Sequence, residues 1–248
     1  MTNLIAARRL WMAFSCLLLV VTAPLAMAQD DGPAGVSVRL VSVKPGAEAQ
    51  FEAAIVDLTA SLGEQGRAFY HVYQRERGDN LPSYTLITQD AVFGELPEAD
   101  VDPSIIDRIV NSTRTSNLMT VLVDPELGIQ GGGGLEPPAQ YLRTRIRVTS
   151  PQTRQDFIGW QTDAADLLEE AGLDDMRVGR IVLGGDPNVF IIWTFQDDMS
   201  LGLPGVDIPG TVGTERAQEL FQRLSGMLVG EEEYILRFRD DLSFTAAQ

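Results

Sequence analysis

Arginine supplies most of the chemistry this sequence could perform. Of its 19 basic residues, Lys44 is the only lysine, and His71 is the only histidine. Strand-like alternation over Tyr141–Thr149 puts Tyr141, Arg143, Arg145 and Arg147 on one face and Leu142, Thr144, Ile146 and Val148 on the other. Near the C-terminus, Ile235, Arg237 and Arg239 oppose Tyr234, Leu236 and Phe238 in the same way. If these two strands are neighbours, five guanidinium groups share one patch on the sheet face away from the helices, and Arg39 is the nearest equivalent in the first half, aligned with Arg145. Planar guanidinium matches a carboxylate or phosphate bidentately, so such a patch reads as an anion site. The competing reading pairs these arginines with the 35 acidic residues of the chain itself.

His71 lies in the strand-like run Tyr70-His71-Val72-Tyr73. An imidazole there could act as a general base or touch a ligand. It could equally be a buried histidine with one polar partner. Tyr73 and Trp193 could line a cavity or fill a core, and alternation does not decide which face His71 and Tyr73 occupy. The candidate ligand-binding residues are therefore His71, Tyr73, Arg39, Arg143, Arg145, Arg147, Arg237 and Arg239, with no catalytic residue assigned.

Composition excludes several classes. One cysteine, Cys16, cannot form an intramolecular disulfide or join a Cys/His zinc site. A formal net charge of −16 over 248 residues argues against non-specific nucleic-acid binding. No calcium loop, phosphate loop or nucleophile elbow is present, and Gly131–Gly134 precede neither a Lys-Ser/Thr pair nor a helical pattern. No metal is expected.

Residues 1–28 read as an address. Arg8 and Arg9 precede an apolar run, Trp11 to Val21, and Ala26-Met27-Ala28 offers a small-x-small cleavage site. The alternative is an uncleaved anchor. Cys16 sits inside the apolar run, which speaks against lipidation. Cleavage after Ala28 would remove the only cysteine and two arginines, leaving 220 residues of net charge −18. The expectation is an exported, periplasmic or extracellular protein with no membrane segment after cleavage.

The elements that must position these residues are written twice. Val36–Lys44 reads as a strand, and Phe51, Ile55, Leu58 and Leu62 then mark one face of a helix. Two strands around Gly78–Pro82, a helix opened by Asp102-Pro103 and a strand over Asn117–Val123 complete the first unit. The second half repeats the order: a strand from Tyr141, a helix striped by Phe157, Trp160, Ala164 and Leu168, strands over Met176–Leu183 and Val189–Gln196, a helix striped by Ala217, Leu220, Phe221, Leu224 and Leu228, and a strand over Glu233–Arg239. Pro45 and Pro151, and likewise Phe51 and Phe157, are 106 residues apart. Each half is β-α-β-β-α-β, the order of a ferredoxin-like unit. The expected organisation is a signal segment at 1–28, repeats at 36–124 and 141–243, and a Gly/Pro linker at 125–139.

With strand, Pro45-Gly46 and helix in this order, and with Tyr73-Gln74 before Gly78-Asp79, the chain resembles the dimeric α/β-barrel superfamily, which includes antibiotic-biosynthesis-monooxygenase-like domains. The resemblance implies an α+β fold in which two tandem ferredoxin-like sheets pack face to face, so that one chain forms its own pseudo-dimer and is monomeric. The superfamily includes cofactor-free oxygenases, haem enzymes and small-molecule-binding domains. Haem-binding relatives with this tandem arrangement carry their axial histidine in the second half, where Val178 stands here, so no cofactor is expected. Nothing resembling a catalytic pair emerges. The leading expectation is a non-catalytic module that binds a small, anionic molecule or a partner protein. The alternative is a cofactor-independent monooxygenase-like or isomerase-like enzyme with a cavity near His71.

Overall fold

A computed structural model describes residues 34–65, 69–76, 82–88, 101–129, 139–199 and 206–245. The segment read as an export signal, the Gly78–Leu81 turn and most of the linker lie outside the described residues. The elements run β1 (Ala34–Val43), α1 (Glu48–Glu64), β2 (Phe69–Arg75), β3 (Ser83–Thr88), α2 (Pro103–Ser112) and β4 (Thr113–Val123). They continue with β5 (Tyr141–Thr149), α3 (Arg154–Glu170), β6 (Met176–Leu183), β7 (Val189–Gln196), α4 (Ile208–Val212), α5 (Thr214–Ser225), β8 (Leu228–Phe238) and β9 (Phe244–Thr245).

Two sheets stacked face to face are not what forms. All strand pairs are antiparallel, and the order β3-β1-β4-β6-β7-β5-β8-β2 closes on itself through a β2–β3 pairing. The result is one closed eight-stranded barrel with helices outside it. Two seams join the strands of the two halves. β4 pairs with β6 from Thr120↔Leu183 to Val123↔Gly179, and β2 pairs with β8 from Tyr73↔Phe238 to Arg75↔Leu236. Stacked sheets would leave four edges of unpaired N–H and C=O groups, and hydrogen bonding along the seams removes those edges. The tandem two-sheet architecture is corrected accordingly.

Period-2 alternation then sorts side chains into two cores. Val36, Val38, Tyr73, Val121, Trp193 and Leu236 belong to a cluster that draws on all eight barrel strands and fills the interior. The opposite faces of the same strands carry two further clusters. α1 and α2 cover one, with Phe51, Ile55, Tyr84 and Leu86; α3 and α5 cover the other, with Phe157, Trp160, Val178 and Phe190. Interior packing is tight at β6, where a Cβ placed on Gly179 would lie 2.2 Å from Val121 and 3.2 Å from the Trp193 ring.

Several local expectations shift. Asp102 does cap α2, accepting from the Ser104 amide at 2.8 Å with Pro103 in the first turn. Pro151, by contrast, lies in a turn and α3 begins only at Arg154. Leu228, expected in the last helix, opens β8, and Phe221 of the same stripe is 45% exposed. The first residues of the expected linker are not a tether: Leu127 and Ile129 are buried against the α3 cluster, and Ile129 exchanges two backbone hydrogen bonds with Met176. After β8 the chain makes a 3-10 turn at Asp240–Leu242 and returns as β9 beside β2. No helix among the described residues is long and apolar enough to cross a membrane.

Candidate functional site

The expected arginine patch exists as a row, but on the other face. The barrel interior accepts Leu142, Ile146 and Leu236, so the arginines opposing them point outward, toward the helices. The Arg147 guanidinium lies 5.1 Å from the centre of the Trp160 ring of α3. Each arginine there has a carboxylate. Glu233 accepts from Arg143 at 2.9 Å and from Arg145 at 2.6 Å, and Glu231 accepts from Arg147 at 2.9 Å. Arg237 pairs with Glu76. Arg239 donates to Glu52 at 2.6 Å and to Asp241 at 2.7 Å. Burial opposes ionisation of Glu233, yet the hydrogen bonds and charges of Arg145 and Arg143 hold its carboxyl below the usual range. The row fixes β8 against β5, with its charges answered from within the chain.

His71 and Tyr73 face the barrel interior. The His71 ring stacks on Phe69 with centroids 4.4 Å apart and meets Phe238 edge-on at 5.6 Å. Its Nε2 lies 3.1 Å from the Thr245 hydroxyl of β9. Burial pushes its pKa down to about 4, so the ring is neutral at physiological pH. Burial likewise raises the Tyr73 hydroxyl above its usual range. In the second half the residue equivalent to His71 is Arg177, which pairs with Trp193 as His71 pairs with Ile87. The 106-residue spacing also leads from His71 to Arg177, and Val178, taken as the match in the sequence reading, belongs to the outer cluster.

A cavity of about 260 Å³ opens elsewhere, between α1, α2 and the outer wall of the barrel. α1 contributes Ile55, Leu58 and Leu62, α2 contributes Ile106 and Ile109, and Leu86 of β3 lies on the barrel side. Arg39 of β1 and the start of β4, Thr113 to Ser116, form its polar border. An ion pair from Arg108 to Asp57 at 2.6 Å ties α2 to α1 across this space. Of the sequence candidates, only Arg39 lines it.

The second half packs the equivalent layer differently. Phe51 meets Tyr84 at 4.9 Å, and the equivalent pair 106 residues on, Phe157 and Phe190, meets at 4.6 Å. The same spacing matches Ala54 with Trp160 and Val41 with Arg147. Trp160 fills the space under α5, donating from its indole to the Leu220 carbonyl at 2.7 Å, with Arg147 stacked against it. In the first half Val41 lines the cavity, while Ala54 is fully buried and is not part of its wall. Sequence reasoning took the Ile55–Leu58–Leu62 stripe as core alone. The pairing of Val41 with Arg147 across the repeat was the available signal.

The lining can bind, orient and exclude water, with guanidinium and hydroxyl groups along one border. No group of three or more His, Cys, Asp or Glu among the described residues is arranged to hold a metal ion.

No family model and no curated protein matches the chain. Solved structures do. One, described as an anthrone oxidase-like protein, is 12% identical, with 89% of this chain and 95% of that one aligned at a TM-score of 0.61. A candidate monooxygenase from Fusobacterium nucleatum is 15% identical over 84% of this chain and 93% of its own, at a TM-score of 0.57. Another from Lactobacillus acidophilus is 10% identical over 86% and 96%, at 0.53. At such identities the likeness is one of fold. The resemblance to monooxygenase-type α/β barrels stands at that level. Because structures of this shape are described as oxidases and monooxygenases, the non-catalytic binding module expected from the sequence is not retained.

Proposed function

We propose that this chain is an enzyme that transforms a small, mainly apolar molecule held between α1, α2 and the barrel wall. The observation that carries the reading is the cavity of about 260 Å³, walled by aliphatic side chains and bordered on one side by Arg39 and the Thr113–Ser116 strand. Enzyme and cofactor sites are of this kind: concave, apolar, with a few polar groups that fix orientation. The descriptions of the similar structures put oxidation of an oxygen-bearing aromatic ring system first among the reactions to examine. The version that centred on His71 is replaced, because that ring is packed between Phe69 and Phe238 inside the barrel.

The test uses anthrone and related hydroxyaromatics under air, with oxygen uptake and product mass followed for the wild type and for Leu58→Trp. Leu58 lines the cavity and is 8% exposed. An indole there should fill the site as Trp160 fills its counterpart and reduce turnover at least about tenfold, given how strongly a misplaced substrate slows reaction. Circular dichroism checks that the variant folds. Turnover that is unchanged in a folded Leu58→Trp variant, or none with any ring system tried, defeats the proposal.

A further inference from the structure

The walls of the cavity are held with unequal strength. Ile55, Leu62 and Leu86, at its inner end, are buried, whereas Val110 at its outer end is 62% exposed. A ring-sized molecule reaches the inner residues only when one wall moves aside. The barrel wall is fixed by ladder hydrogen bonds of β1 with β3 and β4. α1 buries Phe51, Ala54, Ile55, Leu58 and Leu62 along its length. α2 buries only Ser112, its last residue, and Ile105, Ile106 and Ile109 are half-buried. Its counterpart α5 buries Ala217, Leu220 and Leu224. An element with so little buried apolar contact opens at low free energy.

We infer that α2 is the door of the cavity, turning about its C-terminal end and latched to α1 by the Arg108–Asp57 ion pair; this rests on the cavity being the site of the function proposed above. The C-terminal end is the fixed one. The Lys44 amide donates to the Ser112 carbonyl at 2.8 Å, and the Lys44 ammonium to the Asn111 carbonyl at 2.6 Å. The Ser112 and Thr113 hydroxyls donate to the Arg108 and Ile109 carbonyls, both at 2.7 Å, so last-turn carbonyls are satisfied and β4 follows without a loop. Asp102 caps the other end from within, on the Ser104 amide. Among the described residues, Arg108–Asp57 at 2.6 Å is the one hydrogen bond or ion pair that joins residues 101–108 to another element. Val101 is held by apolar contact and itself lines the cavity, so it travels with the helix. Both partners of the pair are part exposed, and neither lines the cavity. The pair therefore stabilises the closed helix alike with and without a bound molecule, and weakening it speeds entry and exit by the same factor.

Stopped-flow fluorescence of the full chain with N-phenyl-1-naphthylamine, a neutral aromatic that brightens in apolar surroundings, tests this. Leu58→Trp should abolish the signal, which places the probe in the cavity. Asp57→Asn should raise the association and dissociation rate constants together, by about two- to fivefold, the factor an exposed ion pair commands, with Kd unchanged within about twofold. Arg108→Gln should do the same, and the double variant no more than either alone. Salt raised from about 0.05 M to about 1 M should quicken the wild type toward the variants and change the variants less. The swapped pair, Asp57→Arg with Arg108→Asp, should restore the slow rates. Unchanged rates in both single variants, with the probe in the cavity, overturn the door and leave the site standing. A gain confined to dissociation overturns it too, because it marks a contact with the bound molecule. A signal that survives Leu58→Trp, or none from the wild type, overturns the inference together with the cavity reading.

Discussion

His71 makes the stability of this barrel depend on pH in a way that can be worked from its surroundings. The ring is 1% exposed, sits between Phe69 and Phe238, and has the Thr245 hydroxyl as its polar neighbour. Burial lowers its pKa from 6.5 to about 4 in the folded chain. Below pH 6.5 the unfolded chain takes up a proton on this ring that the folded chain does not. Stability therefore falls as pH drops from about 6.5 to about 4 and stops falling below that. Linkage puts the loss at about 2 kcal/mol at pH 5 and about 3 kcal/mol at pH 4. His71→Phe removes the titration, keeps an aromatic ring among aromatic rings, and leaves the exposed Thr245 hydroxyl to water.

Urea unfolding of both chains at pH 7, 6, 5 and 4 isolates the effect, because every other titrating group is common to both and cancels in the difference. The free-energy gap should move in favour of His71→Phe by about 2 kcal/mol between pH 7 and pH 5, a shift well above the error of extrapolation. Parallel curves over that interval would refute the reasoning, since they require a His71 that titrates alike in both states.

Two further outcomes follow from the barrel. Glu233→Gln should cost about 2 kcal/mol at pH 7 by chemical denaturation, because it leaves the 6%-exposed Arg143 and its neighbour Arg145 without their carboxylate. That penalty should fade as pH falls through the depressed titration of Glu233, whose stabilisation exists only while it is ionised; a penalty independent of pH would contradict the ion-pair account. Gly179→Ala puts a methyl group 2.2 Å from Val121 and should destabilise by about 1–3 kcal/mol, and an unchanged melting temperature would show that the barrel interior yields there.

The elements were legible because their signals are local. The α1 stripe, the Asp102-Pro103 start and the alternation in β5 and β8 each depend on a few neighbouring residues. How the strands close was not, because seam pairs such as Gln74↔Arg237 join residues far apart in sequence. Which face the arginines occupy follows from closure too. An interior lined from all eight strands has no place for a row of charges, whereas a bare sheet face would have had one. β9 lacked a signal altogether: Phe244-Thr245 gains strand character only from the β2 edge that the Asp240–Leu242 turn brings alongside it.

The difference between the two halves bears on function through energy. Both keep the aromatic pair under their first helix, so the scaffold is the same. The second half adds Trp160 and Arg147, and a buried aromatic of that size contributes about 3 kcal/mol. The first half, with Ala54 and Val41 in their places, forgoes that gain within a fold whose net stability is of order 10 kcal/mol. An apolar opening kept under those conditions is what the proposed function requires of a site that a small, mainly apolar molecule fills.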